Sequence, residues 1–137
     1  MAMFENDYIM RMIWSISAVL MRAKELLTKR GGKEDTTILD SVYRDASGLS
    51  GELIHMLTDE EVANLLHDDP AKLLAAAHLM LEEARWYQNQ GEEQKAAERG
   101  GRAWKLMQYF QQIAPEDAKG QRFCDPTPFE QWNPEKN

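Results

Sequence analysis

The chain has 137 residues, 43% of them hydrophobic and 28% charged, the balance of a globular domain with a core rather than of a disordered segment. A formal charge of −7 argues against nucleic-acid binding, which needs cations to displace counterions from phosphate. Cys124 is alone, so no internal disulfide can form, and Glu5 and Asp7 stand where a secretory leader would be basic; both features point to the cytoplasm.

Residues 6–30 form the first expected element, a long amphipathic helix. Asn6 is placed to cap it, Asp7 suits its positive start, Lys29 and Arg30 suit its end, and Gly31 and Gly32 stop it. Ile9, Ile13, Ile16, Leu20, Ala23 and Leu27 recur at 4-3-4-3-4 spacing, a heptad seam. Met10, Met12, Trp14 and Met21 widen the apolar arc beyond it. Such a helix needs cover from its own domain, from a second copy or from another protein. Met12 to Met21 is too short to span a bilayer, which takes about 20 residues. Arg22, Lys24, Lys29, Arg30 and Lys33 would suit an anionic membrane surface, but Glu5, Asp7 and Glu25 share the helix, so membrane binding is the poorer reading.

Short helices are expected over residues 36–67. Gly31 to Asp35 is the best hinge candidate, and Thr36 or Thr37 can cap a helix reaching Ala46, with Ile38, Leu39, Val42 and Tyr43 on its apolar side. Ser47 to Gly51 breaks it, and a further helical piece carries Leu53, Ile54, Met56 and Leu57. Thr58 and Glu61 then have the spacing of a capping box, opening a helix with Val62, Leu65 and Leu66 that ends near His67.

Asp69-Pro70 is a strong helix start and opens an α-hairpin over residues 70–113. Its first helix carries Leu73, Leu74, Ala77, Leu81, Ala84 and Tyr87; Gly91 turns the chain; and its second places Ala96, Ala97, Ala103, Leu106, Met107 and Phe110 inside. Gly100-Gly101 in mid-helix costs about 2 kcal/mol relative to alanine, which predicts a close helix–helix approach or a kink there. Residues 115–137 hold four of the five prolines together with Phe123, Phe129 and Trp132, and read as an extended tail that straps across the helices or enters a second subunit. Thr127 to Glu130 has the look of a capped helical turn.

Ala84, Tyr87, Gly91, Ala96 and Ala103 give the hairpin a tetratricopeptide-like spacing, although no second copy follows that would make a repeat array. The opening run Phe4-Glu5-Asn6-Asp7-Tyr8-Ile9-Met10-Arg11-Met12-Ile13 resembles the start of a family of small helical proteins from anaerobic Gram-positive bacteria, classed as a domain of unknown function. Its members are similar in a long first helix, a Gly-Leu-Ser step (here Gly48-Leu49-Ser50) and a tetratricopeptide-like hairpin, so the resemblance covers most of residues 4–113. It implies an all-α fold and, the family's activity being unknown, adds no catalytic residues.

No pattern in the chain carries recognisable chemistry. His67 with Asp68 and Asp69, and His78 with Glu82, lack the paired spacing of a zinc site, so the first group is expected at a helix end and His78 on the hairpin surface or at an interface. Glu82-Glu83 and Glu92-Glu93 are expected to be solvated, since acid–base work needs a buried site. Cys124 lacks a nearby histidine, and neither glycine pair forms a phosphate loop. No catalytic residue, metal or cofactor is therefore expected.

Charge is unevenly spread. Residues 1–33 carry six Lys and Arg against three Asp and Glu, and residues 34–94 carry three against fourteen. A basic head and an acidic middle would steer two chains together in antiparallel fashion. The expectation is a small all-α helical bundle over residues 1–137, acting as a non-enzymatic protein–protein interaction module and most simply a homodimer. Ile9, Ile13, Ile16, Leu20 and Trp14 of the first helix would supply one surface, and Trp86, Tyr87 and Trp104 a groove on the hairpin. A small-ligand-binding or regulatory protein, with a pocket between the first helix and the hairpin, is the alternative.

Overall fold

Leu73 to Leu81 is apolar at every position but His78, which leaves a helix no face for water. In the computed structural model, which describes residues 2–29 and 37–136, this segment lies in the central helix α5 (Pro70–Asn89). Every residue from Leu73 to Ala84 is buried, and α1 (Ala2–Lys29), α2 (Asp40–Ser47), α6 (Glu93–Ile113) and the C-terminal segment pack around it. The described residues form helices and no strand, an all-α bundle.

α6 runs back along α5 after a turn at Gly91, whose φ of +78° favours glycine. Ala96, Gly100, Ala103, Leu106, Met107 and Phe110 form its buried face. Ala97, expected inside, is exposed because it lies one residue round the helix from that face.

α1 begins at Ala2 rather than being capped at Asn6, since Ala2, Met3 and Glu5 favour helix and nothing breaks it. The proposed stop at Gly31 and Gly32, the hinge over Gly31–Asp35 and the Thr36 cap lie outside the described residues. Arg22 ties α1 to α2 through an ion pair with Asp45 and a 3.3 Å hydrogen bond to the Ser41 hydroxyl.

A 3-10 turn at Thr37–Leu39 leads into α2, which buries Val42, Tyr43 and Ser47 and ends at Gly48 with φ +83°. The Ser50 hydroxyl caps α3 (Gly51–Met56) by accepting from the Leu53 N–H, and the Thr58–Glu61 capping box opens α4 (Asp59–Leu65) with bonds of 3.1 and 2.9 Å. Helices this short turn few residues inward: Ile54, Val62 and Ala63 are buried, while Leu53, Met56 and Leu65 stay exposed. Pro70 takes the first position of α5, but the Asp69 side chain makes no capping bond.

The C-terminal segment is ordered, though not extended. Prolines hold φ near the helical value, and 3-10 turns form at Glu116–Ala118, Arg122–Cys124, Thr127–Trp132 and Pro134–Lys136. Asp125 rather than Thr127 organises the third turn, its Oδ1 accepting from the Thr127 N–H and hydroxyl at 2.9 and 2.7 Å. Phe129 and Cys124 are buried, and the Gln111 amide donates to the Cys124 carbonyl at 2.8 Å. The Gly100-Gly101 pair is where this strap crosses α6: the Trp132 indole occupies the space a Gly100 side chain would need, and Pro134 lies against Gly101. The close approach is thus by the tail, and α6 remains helical through both glycines.

Candidate functional site

Glu82 and Glu83 are neighbours on α5, and the roughly 100° between successive helical side chains sends them to different surroundings. Both are buried, which corrects the expectation that they are solvated. Burial of a charge requires partners, and each has them.

Glu83 is wholly buried. Its Oε1 accepts from the Tyr43 hydroxyl and lies 3.1 Å from His55 Nε2, and its Oε2 accepts from Arg99 Nε at 3.0 Å. Burial, and then the Glu83 charge, push the Tyr43 hydroxyl well above its usual pKa. Burial works against the Arg99 charge, but the Glu83 carboxylate outweighs it and holds the guanidinium pKa above its ordinary value. Beside this cluster Arg102 donates to Asp59 at 2.7 Å and to the carbonyls of Leu57 and Ile54 at 2.7 and 3.2 Å. These bonds join α2, α3 and α6 to α5, and α3 and α4 to α6. A carboxylate with donors on both oxygens and no exposure is a structural tie. The signal available for it was two glutamates set inside an otherwise apolar run. Glu52 and His55 have a Glu-x-x-His spacing, but Glu52 is exposed while His55 turns to Glu83.

Glu82 lies at an open groove of about 340 Å³ between α1, α5 and the C-terminal strap. Leu20, Met21 and Lys24 line it from α1; His78, Leu81 and Arg85 from α5; Arg122, Phe123 and Pro128 from the strap. Lys24 Nζ and Arg85 Nη1 both approach Glu82 Oε1, at 3.8 and 3.2 Å. His78 is not on the surface as expected. Its ring is buried edge-on to Phe123 and Phe129, and Nε2–H donates to the Phe123 carbonyl at 2.7 Å. Burial lowers its pKa to about 4; the carbonyl bond opposes this and Arg85 adds to it, so the imidazole is neutral at pH 7. Cys124, in the same strap, has its thiol pushed up to about 11 by burial.

The interaction surface expected from the sequence is redistributed. Ile9, Ile16 and Leu20 are buried and Ile13 is partly buried, all packed within the chain, so the heptad seam is core and not a docking face. The reason is that α5 already supplies the surface this seam needs. Trp14, by contrast, is 70% exposed, with Met10 at 49% and Met21 at 72% beside it. Tyr87 is buried against Trp86, and Lys95 lies over its ring. Trp104 is partly buried and stands nine residues beyond Lys95, roughly 13 Å along α6, so these three aromatics do not make one groove. A second exposed apolar set is Leu53 and Met56 on α3 with Leu65 on α4.

Among the described residues no helix is long and apolar enough to cross a membrane, and no group of three or more His, Cys, Asp or Glu is placed to hold a metal ion. No family model matches the chain, and no curated protein and no solved structure matches it.

Proposed function

We propose that the chain is a non-enzymatic interaction module of the cytoplasm that associates with a second copy of itself. One observation carries this reading: among the described residues, the large exposed apolar side chains fall into two sets, one among mostly basic residues and one among acidic ones. Met10, Trp14 and Met21 on α1 stand with Arg11, Arg22 and Lys24 against Glu25, Arg22 being paired with Asp45 and Lys24 lying 3.8 Å from Glu82, while Leu53, Met56 and Leu65 on α3 and α4 stand with Glu52, Glu60 and Glu61. Trp is the commonest anchor of protein interfaces, and Met adapts to an uneven partner. The basic α1 row of one copy suits the acidic α3–α4 segment of another, and a two-fold axis makes both contacts at once. The resemblance of the Phe4–Ile13 run to a family of small helical bacterial proteins is consistent with this reading and adds no chemistry to it.

Sedimentation equilibrium at low and high salt tests the proposal. A dimer that weakens as salt screens the two charged faces is the expected result. A chain that stays monomeric at every concentration and salt overturns it.

A further inference from the structure

The groove between α1, α5 and the strap borders the exposed α1 row and shares Met21 and Lys24 with it, while Trp14 and Met10 lie outside it. Lys24, Arg85 and Arg122 face a single carboxylate, Glu82, and His78 is neutral, so this groove has a surplus of positive charge in a chain of net charge −7. Lys24 and Arg85 share one oxygen of Glu82, and their side chains are 61% and 43% exposed, leaving donors free toward the opening. Arg122 lies with its guanidinium 5.4 Å from the centre of the Phe123 ring and forms no ion pair among the described residues. Between these cations the surface is apolar: Leu20, Leu81, Phe123 and Pro128. The His78–Phe123 bond fixes the strap wall against α5.

We propose that this groove binds a small amphiphilic anion, an apolar chain or ring ending in a carboxylate or phosphate head. The size, about 340 Å³, is at the lower end of the range for small-molecule sites, which are mostly apolar with a few convergent polar groups. The apolar body lies on Leu20, Leu81, Phe123 and Pro128. The head bonds Arg122 and Arg85, with Lys24 at the edge, and charge-assisted bonds of this kind are the strong ones. Glu82 competes with the head for Lys24 and Arg85, which sets the affinity and rejects apolar molecules that cannot displace it.

Isothermal titration calorimetry on the full chain tests this with four probes: octanoate, octyl phosphate, octanol and inorganic phosphate. Octanoate or octyl phosphate binds with one equivalent per chain, and the tighter of the two identifies the head. Octanol and inorganic phosphate bind at least tenfold more weakly. Arg122→Ala and Arg85→Gln each weaken the octyl anion about tenfold, as expected for a lost charge-assisted bond. Glu82→Gln strengthens it severalfold by removing the competing carboxylate. Trp14→Asp, which lies outside the groove, leaves the binding unchanged and so separates it from self-association. Octanol binding as well as octanoate, phosphate alone binding as well as octyl phosphate, or Arg122→Ala without effect in a chain whose helical circular dichroism is unaltered, overturns the proposal.

Discussion

Two apolar rows run along α1, one residue apart in register. Ile9, Met12, Ile16, Leu20, Ala23 and Leu27 are buried within the chain, whereas Met10, Trp14 and Met21 are turned out to solvent. The rows differ in composition as well as place: the inner one is mostly Ile and Leu, with Met12 and Ala23 among them, and the outer is two Met and a Trp. An apolar arc wider than one neighbouring helix can cover holds two functions, a core face and a face left over. The same contrast recurs on α5, where Glu83 is enclosed by Tyr43, His55 and Arg99, and Glu82 sits at an open groove.

Substitutions on the inner side should be the costly ones. Ile16→Asp places an unpaired charge in the core and should cost roughly 5 kcal/mol in urea denaturation, or prevent folding outright. A variant that lost only its self-association would mean that the inner row is the docking face after all. Glu83→Gln leaves Arg99 without its buried carboxylate and should cost about 4 kcal/mol. Glu82→Gln, whose cations are largely solvated, should change stability by no more than about 0.5 kcal/mol. Equal costs for the two would erase the contrast between the closed cluster and the open groove.

His78 sharpens the comparison through pH. Its pKa is about 4 in the fold and about 6.5 in an unfolded chain, so below 6.5 the unfolded state takes up the proton first. The stability contributed by the neutral ring is therefore complete above that value and is lost as pH falls, by about 3 kcal/mol at pH 4. His78→Asn can keep a donor toward the Phe123 carbonyl and should flatten this part of the pH profile, measured as urea midpoints from pH 7 to 4. A smaller loss is expected where the strap crosses α6. Gly100→Ala pushes a methyl group into the Trp132 indole, and about 1 kcal/mol of gained helix propensity only partly offsets the clash, for a net cost of about 1–2 kcal/mol. Cys124 should then react faster with a thiol reagent; unchanged protection would show that the strap does not depend on this contact.

Legibility in the sequence follows the length of each pattern. The apolar run of α5, the Thr58–Glu61 capping box and the turn at Gly91 could be read locally, because each depends on residues a few positions apart, whereas Gly100-Gly101 marked a close approach without showing that Trp132 makes it. The sides of α3 and α4 could not, since helices of two turns or fewer offer too few positions for a period to emerge. Glu83 and His78 were misplaced for a different reason. Their partners Tyr43, Arg99 and Phe123 are distant in sequence, and a polar residue's burial depends on those partners rather than on its own spacing. The wide arc of α1 was visible as such. Which row faced inward depended on where α5 lay, and so the row left exposed is Met10, Trp14 and Met21 and not the seam.

Sedimentation equilibrium of Trp14→Asp, of Met56→Glu and of their equimolar mixture tests the central claim most directly. Both substitutions fall on exposed side chains and should change stability by about 0.5 kcal/mol or less. Each variant alone should be monomeric where the parent chain is dimeric, because in a two-fold pair each damages both contacts. In the mixture the intact α1 row of the Met56→Glu chain meets the intact α3–α4 segment of the Trp14→Asp chain, and a weaker dimer should return. Variants that associate as the parent does, or a mixture that stays monomeric, would contradict the account.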